Sequence, residues 1–187
     1  MVFCRFLQGA FLIIDRAVNL VDRFFSTKSE YRCIHMIENI DRREAMFTVR
    51  RGMTCDYPLI QQFIEQSEAV YDRDSAFILV ENEKKEMLSV IGVLTCKQVG
   101  FLRSFVFSPA FPVGQLPLFF EGVLTAVKEM DCRSLCLASN KRQSISFFEL
   151  FGFEEVKLEH IPEELKLSTA FSATSQMNDV FYMWKTM

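Results

Sequence analysis

Residues 100–156 read GFLRSFVFSPAFPVGQLPLFFEGVLTAVKEMDCRSLCLASNKRQSISFFELFGFEEV, and this stretch decides the fold. An apolar run from Leu102 to Phe107 ends in Ser108-Pro109. A loop with Pro112, Gly114 and Pro117 follows. Then come a helical pattern over Leu118–Met130, a short strand over Ser134–Leu137, a second helix over Gln143–Phe151 and the stop Gly152-Phe153. A β–loop–α–β–α unit of this size brings a helix N-terminus just past the end of a buried strand. Unpaired N–H groups gather there, and with the helix dipole they form a site for a phosphate-bearing ligand.

Upstream of this unit, Phe47–Arg51 reads as a first strand. Thr54 or Asp56 can cap a helix with Pro58 in its first turn, and Leu59, Ile60, Phe63 and Ile64 form its apolar stripe. Ser67–Asp74 is a polar loop. Ala76–Val80, Met87–Cys96 and Val99–Phe107 follow as three strands with short turns between them, which predicts an antiparallel meander. Downstream, Gly152 suits the left-handed position after a helix. A strand from Glu154, a short helix over Pro162–Leu167, a connection over Ser168–Asn178 and a last strand over Asp179–Lys185 complete the chain.

The expected organisation is an N-terminal extension, residues 1–45, and one domain, residues 46–187. In residues 1–27, Phe3, Leu7, Ala10, Ile14, Val18, Val21 and Phe25 recur at spacings of three and four, the pattern of an amphipathic helix. Its polar face carries both charge signs. That favours docking on its own domain, then a homodimer or partner contact, over a membrane surface, which calls for Lys/Arg. Gln8 and Gly9 interrupt the apolar start and Asp15-Arg16 follow at once, so an export signal is not expected.

Composition excludes several classes. Half of the 187 residues are apolar, which fits a folded core and argues against disorder. The net charge of −3 gives no electrostatic case for nucleic acid, and Arg42-Arg43 and Arg50-Arg51 read as solvated faces. Twenty phenylalanines against seven glycines predict a core packed with rings. The six cysteines are scattered without a zinc-ligand pattern, so no metal is expected; Cys96 and Cys136 read as small core residues, and a reducing, cytoplasmic compartment is the expectation.

The element order β-α-β-β-β-α-β-α-β over about residues 47–185 resembles the GNAT acyltransferase superfamily. Ser144-Ile-Ser-Phe-Phe-Glu-Leu-Phe-Gly-Phe-Glu-Glu-Val looks like that family's helix ending in Gly-Phe, and Leu102-Arg-Ser-Phe-Val-Phe-Ser-Pro-Ala-Phe looks like its central strand and exit. With Ile161-Pro-Glu-Glu-Leu and the late apolar strand, the likeness is greatest to amino-acid acetyltransferases of the N-acetylglutamate-synthase type. The resemblance implies an α+β fold: a mixed, mostly antiparallel central sheet flanked by helices, here with an N-terminal helical extension. It also implies an N-acetyltransferase that passes an acetyl group from acetyl-CoA, as co-substrate, to the amine of an amino acid or other small molecule. Backbone groups at Phe105, Val106 and Phe107 would pair with the pantetheine arm. Pro112, Val113, Gly114, Gln115, Leu116 and Pro117 would form the pyrophosphate loop. Asn140 and Phe148 would line the arm.

Three positions depart from the family pattern. The phosphate loop Arg/Gln-x-x-Gly-x-Gly/Ala aligns with Pro112, Gln115 and Pro117, with Gly114 one place off, and proline has no N–H to give. Phe101 stands where many relatives carry a carboxylate, and Phe148 where many carry a tyrosine acid. No general base or acid is named by the residues; Tyr57, Tyr71, Tyr182 and His160 are the side chains capable of proton transfer that come into view. The alternative is a catalytically inactive member of the same fold, kept as a binding or interaction module. An unrelated α/β protein would instead show an all-parallel sheet with no meander in Ala76–Phe107.

Overall fold

A computed structural model describes residues 47–67, 69–140, 142–176 and 179–187, with no side-chain account of Val113 and Gln143. The expected extension, residues 1–45, lies outside the described residues. Seven strands form one sheet: β1 (Phe47–Arg51), β2 (Ala76–Asn82), β3 (Met87–Cys96), β4 (Val99–Phe107), β5 (Ser134–Ser139), β6 (Glu154–Val156) and β7 (Phe181–Thr186). Their order across the sheet is β1-β2-β3-β4-β5-β7-β6. Every neighbouring pair is antiparallel except β4 and β5. The meander over Ala76–Phe107 is therefore present, and it rules out the all-parallel alternative.

The helices follow from where apolar side chains recur. In α1 (Tyr57–Gln66), Ile60 and Ile64 are buried, four residues apart on one face. The thirteen residues of α2 (Leu116–Lys128) cross over between the parallel strands β4 and β5. Phe119, Phe120, Val123 and Val127 of α2 are buried. Gly122 lets this helix approach β1 closely, since a Cβ there would lie 2.7 Å from Val49 Cγ2. α3 (Arg142–Leu150) follows β5, and two short helices, α4 (Glu163–Lys166) and α5 (Thr169–Ser175), precede β7.

The main core is built from rings, as the composition predicts. Phe120 lies 4.6 Å from Phe151, 5.6 Å from Phe148 and 5.8 Å from Phe147, centroid to centroid. A phenylalanine buried this completely stabilises by roughly 1.5–3 kcal/mol through area alone. A smaller cluster lies on the opposite face of β4, β5 and β7: Phe101, Cys136, Ala138, Ile161, Leu165, Phe171 and Tyr182. Gly152 (φ 75°) ends α3 as expected. Its N–H donates to Glu149 O at 2.9 Å and the Phe153 N–H to Phe148 O at 3.2 Å, while the Phe153 ring packs on Phe148 at 5.8 Å. That is a Schellman stop with its apolar contact.

Three local expectations are corrected. Asp56 sits before α1, but its carboxylate does not cap that helix. It accepts the Met53 N–H at 2.8 Å and pairs with Arg50. Arg50 is accordingly no solvated charge: Nη1 meets Asp56 Oδ2 at 2.7 Å, and Nη2 meets Glu81 Oε1 at 2.8 Å. The connection over Ser168–Asn178 contains α5, whose one buried residue is Phe171 and whose cap is Ser168, accepting from the Phe171 N–H.

Candidate functional site

Four rungs join β4 to β5, from Val99–Ser134 to Leu102–Leu137. Beyond them β4 runs on to Phe107 against β3, and β5 runs on to Ser139 against β7. The two strands diverge, and a gap opens at their carboxyl ends. The cause lies in β4. Between Val90–Val106 and Gly92–Arg103 the register with β3 slips by one residue, so β4 carries an extra residue, and Ser104 there has φ 53°. A bulge of this kind bends its strand away from a straight ladder. The Ser104 hydroxyl donates to Val70 O at 3.3 Å.

The backbone past the bulge faces two ways. Val106 O accepts from Ser89 Oγ at 2.8 Å, and the Ser108 N–H donates to Leu88 O at 2.8 Å, so residues 106 and 108 turn their polar groups to β3. By the alternation of a strand, Phe105 and Phe107 turn theirs to the gap. Of the three positions expected to meet an extended ligand arm, two face the gap and Val106 faces away. The side chains of Phe105 and Phe107 belong to the core: Phe105 packs on Phe120 at 6.2 Å and Phe148 at 6.3 Å, and Phe107 on Phe111 at 4.9 Å. Phe148 therefore reaches across from α3 to β4 with a ring that has no hydroxyl.

The loop after β4 leads into α2. Pro117 stands in the first turn, where its missing N–H costs little, and Gln115 at the helix start makes no side-chain capping bond to the helix. A 3-10 turn over Val113–Gln115 runs directly into α2, so only part of the N–H groups of the first turn is open to a ligand. Gly114 is exposed, and a Cβ on it would meet nothing within 4 Å. Leu116 and Pro117 offer only backbone, their side chains being buried. Phe111 turns away from the gap: its ring neighbours are Phe47 at 5.9 Å, Phe107 at 4.9 Å and Phe119 at 5.3 Å. Within the loop the Ala110 N–H donates to Ser108 Oγ, the Phe111 N–H to Ser108 O and the Gln115 N–H to Pro112 O. Asn140 is exposed at the end of β5.

On the opposite sheet face stands Arg103, with Nη1 donating to Asp72 Oδ2 at 2.7 Å and both side chains largely covered (17% and 20% exposed). Burial pushes the Arg103 pKa down, and Asp72 opposes that shift. Neither residue stood out in the sequence, although a lone cation inside the apolar run Leu102–Phe107 was the available signal. Ser139 and Ser144, both buried, bring their hydroxyls to 2.6 Å and tie the end of β5 to the start of α3. Tyr71 stacks on Phe77 at 5.3 Å and Tyr57 meets the same ring edge-on at 5.8 Å. Tyr182 stacks on Phe171 at 5.3 Å. Burial raises the pKa of both Tyr71 and Tyr182. His160 lies in an exposed turn, 3.9 Å from Glu159. Among the described residues no helix is long and apolar enough to cross a membrane.

No protein-family model and no curated protein matches this sequence. Solved structures do. A GNAT-family acetyltransferase from Staphylococcus aureus Mu50 is 15% identical, over 75% of this chain and 98% of its own, with a TM-score of 0.53. The N-acetylglutamate synthase of Neisseria gonorrhoeae, complexed with coenzyme A and N-acetyl-glutamate, is 16% identical with a TM-score of 0.58; 76% of this chain matches 35% of that one. The spermidine N-acetyltransferase of Vibrio cholerae, in complex with CoA and spermine, is 12% identical over 76% of this chain and 96% of its own, with a TM-score of 0.52. The diverging β4 and β5, the bulge at Ser104 and the helix that follows β4 sit in the fold that this chain shares with the GNAT acetyltransferases.

Proposed function

We propose that the chain is an acetyl-CoA-dependent N-acetyltransferase of the GNAT superfamily, acting on the amine of an amino acid or another small molecule. The observation that carries this reading is the gap between β4 and β5 with the start of α2 behind it. Acetyl-CoA supplies an acetyl group activated as a thioester, which a neutral amine attacks directly with loss of the CoA thiol. The backbone of Phe105 and Phe107 pairs with the pantetheine arm, as a strand in place of the missing β5 partner. The leading N–H groups of α2 and the open backbone at Gly114 receive the pyrophosphate, where the helix dipole favours negative charge. Asn140 borders the arm at the end of β5, and the Phe148 ring supports it from below. The likeness to the N-acetylglutamate-synthase type belongs to the same proposal, as do a homodimer or partner contact through the N-terminal helix and a cytoplasmic location.

One observation favours a second reading, an inactive binding module of the same fold. Pro112 and Pro117 have no N–H, and those of Ala110, Phe111 and Gln115 are committed inside the loop, so fewer donors remain for phosphate than a glycine-rich loop presents. Thermal melting decides whether the co-substrate is held. Acetyl-CoA at 100 times its dissociation constant adds about 2.7 kcal/mol to the folded state. Gly114→Trp fills the open space beside the loop without a steric clash in the fold, so it abolishes that shift while leaving the ligand-free melting temperature in place. Absence of a shift in the parent chain at millimolar acetyl-CoA contradicts the first reading. A shift without transfer to any amine favours the second.

A further inference from the structure

Arg103 is the first residue of β4 past its last rung with β5, and it stands on the face opposite α2 and α3. Its surroundings are cut back on both sides. Its partner on β3 is Gly92, where a Cβ would lie 3.4 Å from Arg103 Cγ. Across the gap, the β5 residue after Leu137 is Ala138, on the same face as Tyr182. Beyond Gly92 stand Phe77 and the Tyr71 ring stacked on it; beyond Ala138 stands Tyr182. Along the strands, Arg103 thus stands between two positions with little or no side chain, Gly92 and Ala138, where the gap opens.

A guanidinium has five N–H donors. Among the described residues Arg103 uses one hydrogen bond, Nη1 to Asp72 Oδ2. Asp72 is itself occupied: Oδ1 accepts the Asp74 N–H at 3.1 Å, and Oδ2 accepts Ser75 Oγ at 3.1 Å. These bonds, with Ser104 Oγ to Val70 O, fix the loop before β2 against the bulge. The remaining donors of Arg103 sit on a largely covered side chain, 17% exposed, where leaving them without an acceptor is costly. A carboxylate matches a guanidinium edge with two parallel bonds.

We propose that Arg103 binds a carboxylate of the acceptor, so that the acceptor is an amino acid or another amine bearing a carboxylate rather than a polyamine. This rests on the reading that the gap holds acetyl-CoA. Arg103 anchors the carboxylate at the start of the gap, and the acceptor's amine is then directed along the gap toward the thioester. Asp72 keeps the guanidinium in position and is not itself in contact with the acceptor.

The test measures release of the CoA thiol from acetyl-CoA with matched acceptors: the protein amino acids, each beside the amine lacking its α-carboxylate, and spermidine. Binding of the same compounds to CoA-saturated protein is measured by calorimetry. The expected result is preference for acceptors with a carboxylate. Arg103→Lys, which keeps the charge but loses the fork, raises KM for them by roughly 10- to 100-fold. The acetyl-CoA melting shift stays unchanged. Should single variants fail to fold, the paired variant Asp72→Asn with Arg103→Gln removes both charges together and gives the same loss. Equal use of amines without a carboxylate, or no carboxylate-bearing acceptor turned over or bound, overturns the proposal while the acetyl-CoA shift leaves the wider reading standing. Loss of the acetyl-CoA shift in the parent chain overturns both.

Discussion

Leu102 faces Leu137 at the last rung that joins β4 to β5, and the two strands part immediately beyond it. The parting has a covalent origin in the chain: one extra residue in β4, with Ser104 at φ 53°, bends the strand while β3 still holds its far end. The functional reading depends on that parting, and the packing around it yields the following expectations.

Below the gap, the joined part of β4 and β5 has no room for a side chain at Gly100. A Cβ there would lie 2.8 Å from Leu135 Cδ2 and 3.3 Å from Cys132 Sγ and Val93 Cγ1. Gly100→Val is expected to lower stability by about 1–3 kcal/mol, read from the denaturant midpoint.

The ring cluster under α2 and α3 turns on Phe120, which touches Phe105, Phe119, Phe147, Phe148, Phe151 and Phe153. Phe120→Ala leaves a cavity among side chains held by the sheet and two helices. A loss of about 3–5 kcal/mol is expected in equilibrium unfolding.

At the end of α3, Gly152→Ala places a Cβ on a residue at φ 75°. The nearest atom to that Cβ is Lys185 Nζ at 2.8 Å, the free end of a flexible side chain, so backbone strain sets the cost. About 1–2 kcal/mol is expected, again from the unfolding midpoint.

The Arg50 bridge makes stability depend on pH on the acid side. Hydrogen bonds from Arg50 and the Met53 N–H hold the Asp56 carboxyl below its usual range. A depressed carboxylate contributes stability that is fully present above its unfolded pKa, about 4, and is lost as pH falls through the lower folded value. Asp56→Asn is expected to remove that dependence, so stability measured from pH 6 down to pH 2 falls less steeply in the variant than in the parent.

Thiol chemistry separates the described cysteines. Burial pushes the Cys136 thiol up to about 12 and raises Cys132, whereas Cys55 is exposed. Brief alkylation of the folded protein at neutral pH, followed by peptide mass spectrometry, is expected to label Cys55 and spare Cys132 and Cys136.

Much of the sheet was legible because its strands are long apolar runs between short polar turns: Met87–Cys96 and Val99–Phe107 carry the expected limits. The helix after β4 begins at Leu116, two residues before its apolar pattern suggests, because Pro117 suits a first turn. α5 was not legible, since Thr169–Ser175 holds a single buried side chain and periodicity has nothing to act on. The parting of β4 and β5 was inferred from resemblance, and the bulge that produces it has no composition of its own. Arg103 and Asp72 are 31 residues apart in the chain, and only the pairing of β3 with β4 and the loop before β2 bring them together.

Amide hydrogen exchange with and without acetyl-CoA tests the central claim most directly. Slowed exchange is expected on the gap-facing backbone at Phe105 and Phe107 and at Gly114 through the first turn of α2, with Val106 unaffected because its polar groups already face β3. Unchanged exchange across residues 103–118 at saturating acetyl-CoA, or protection confined to other parts of the sheet, would contradict the account.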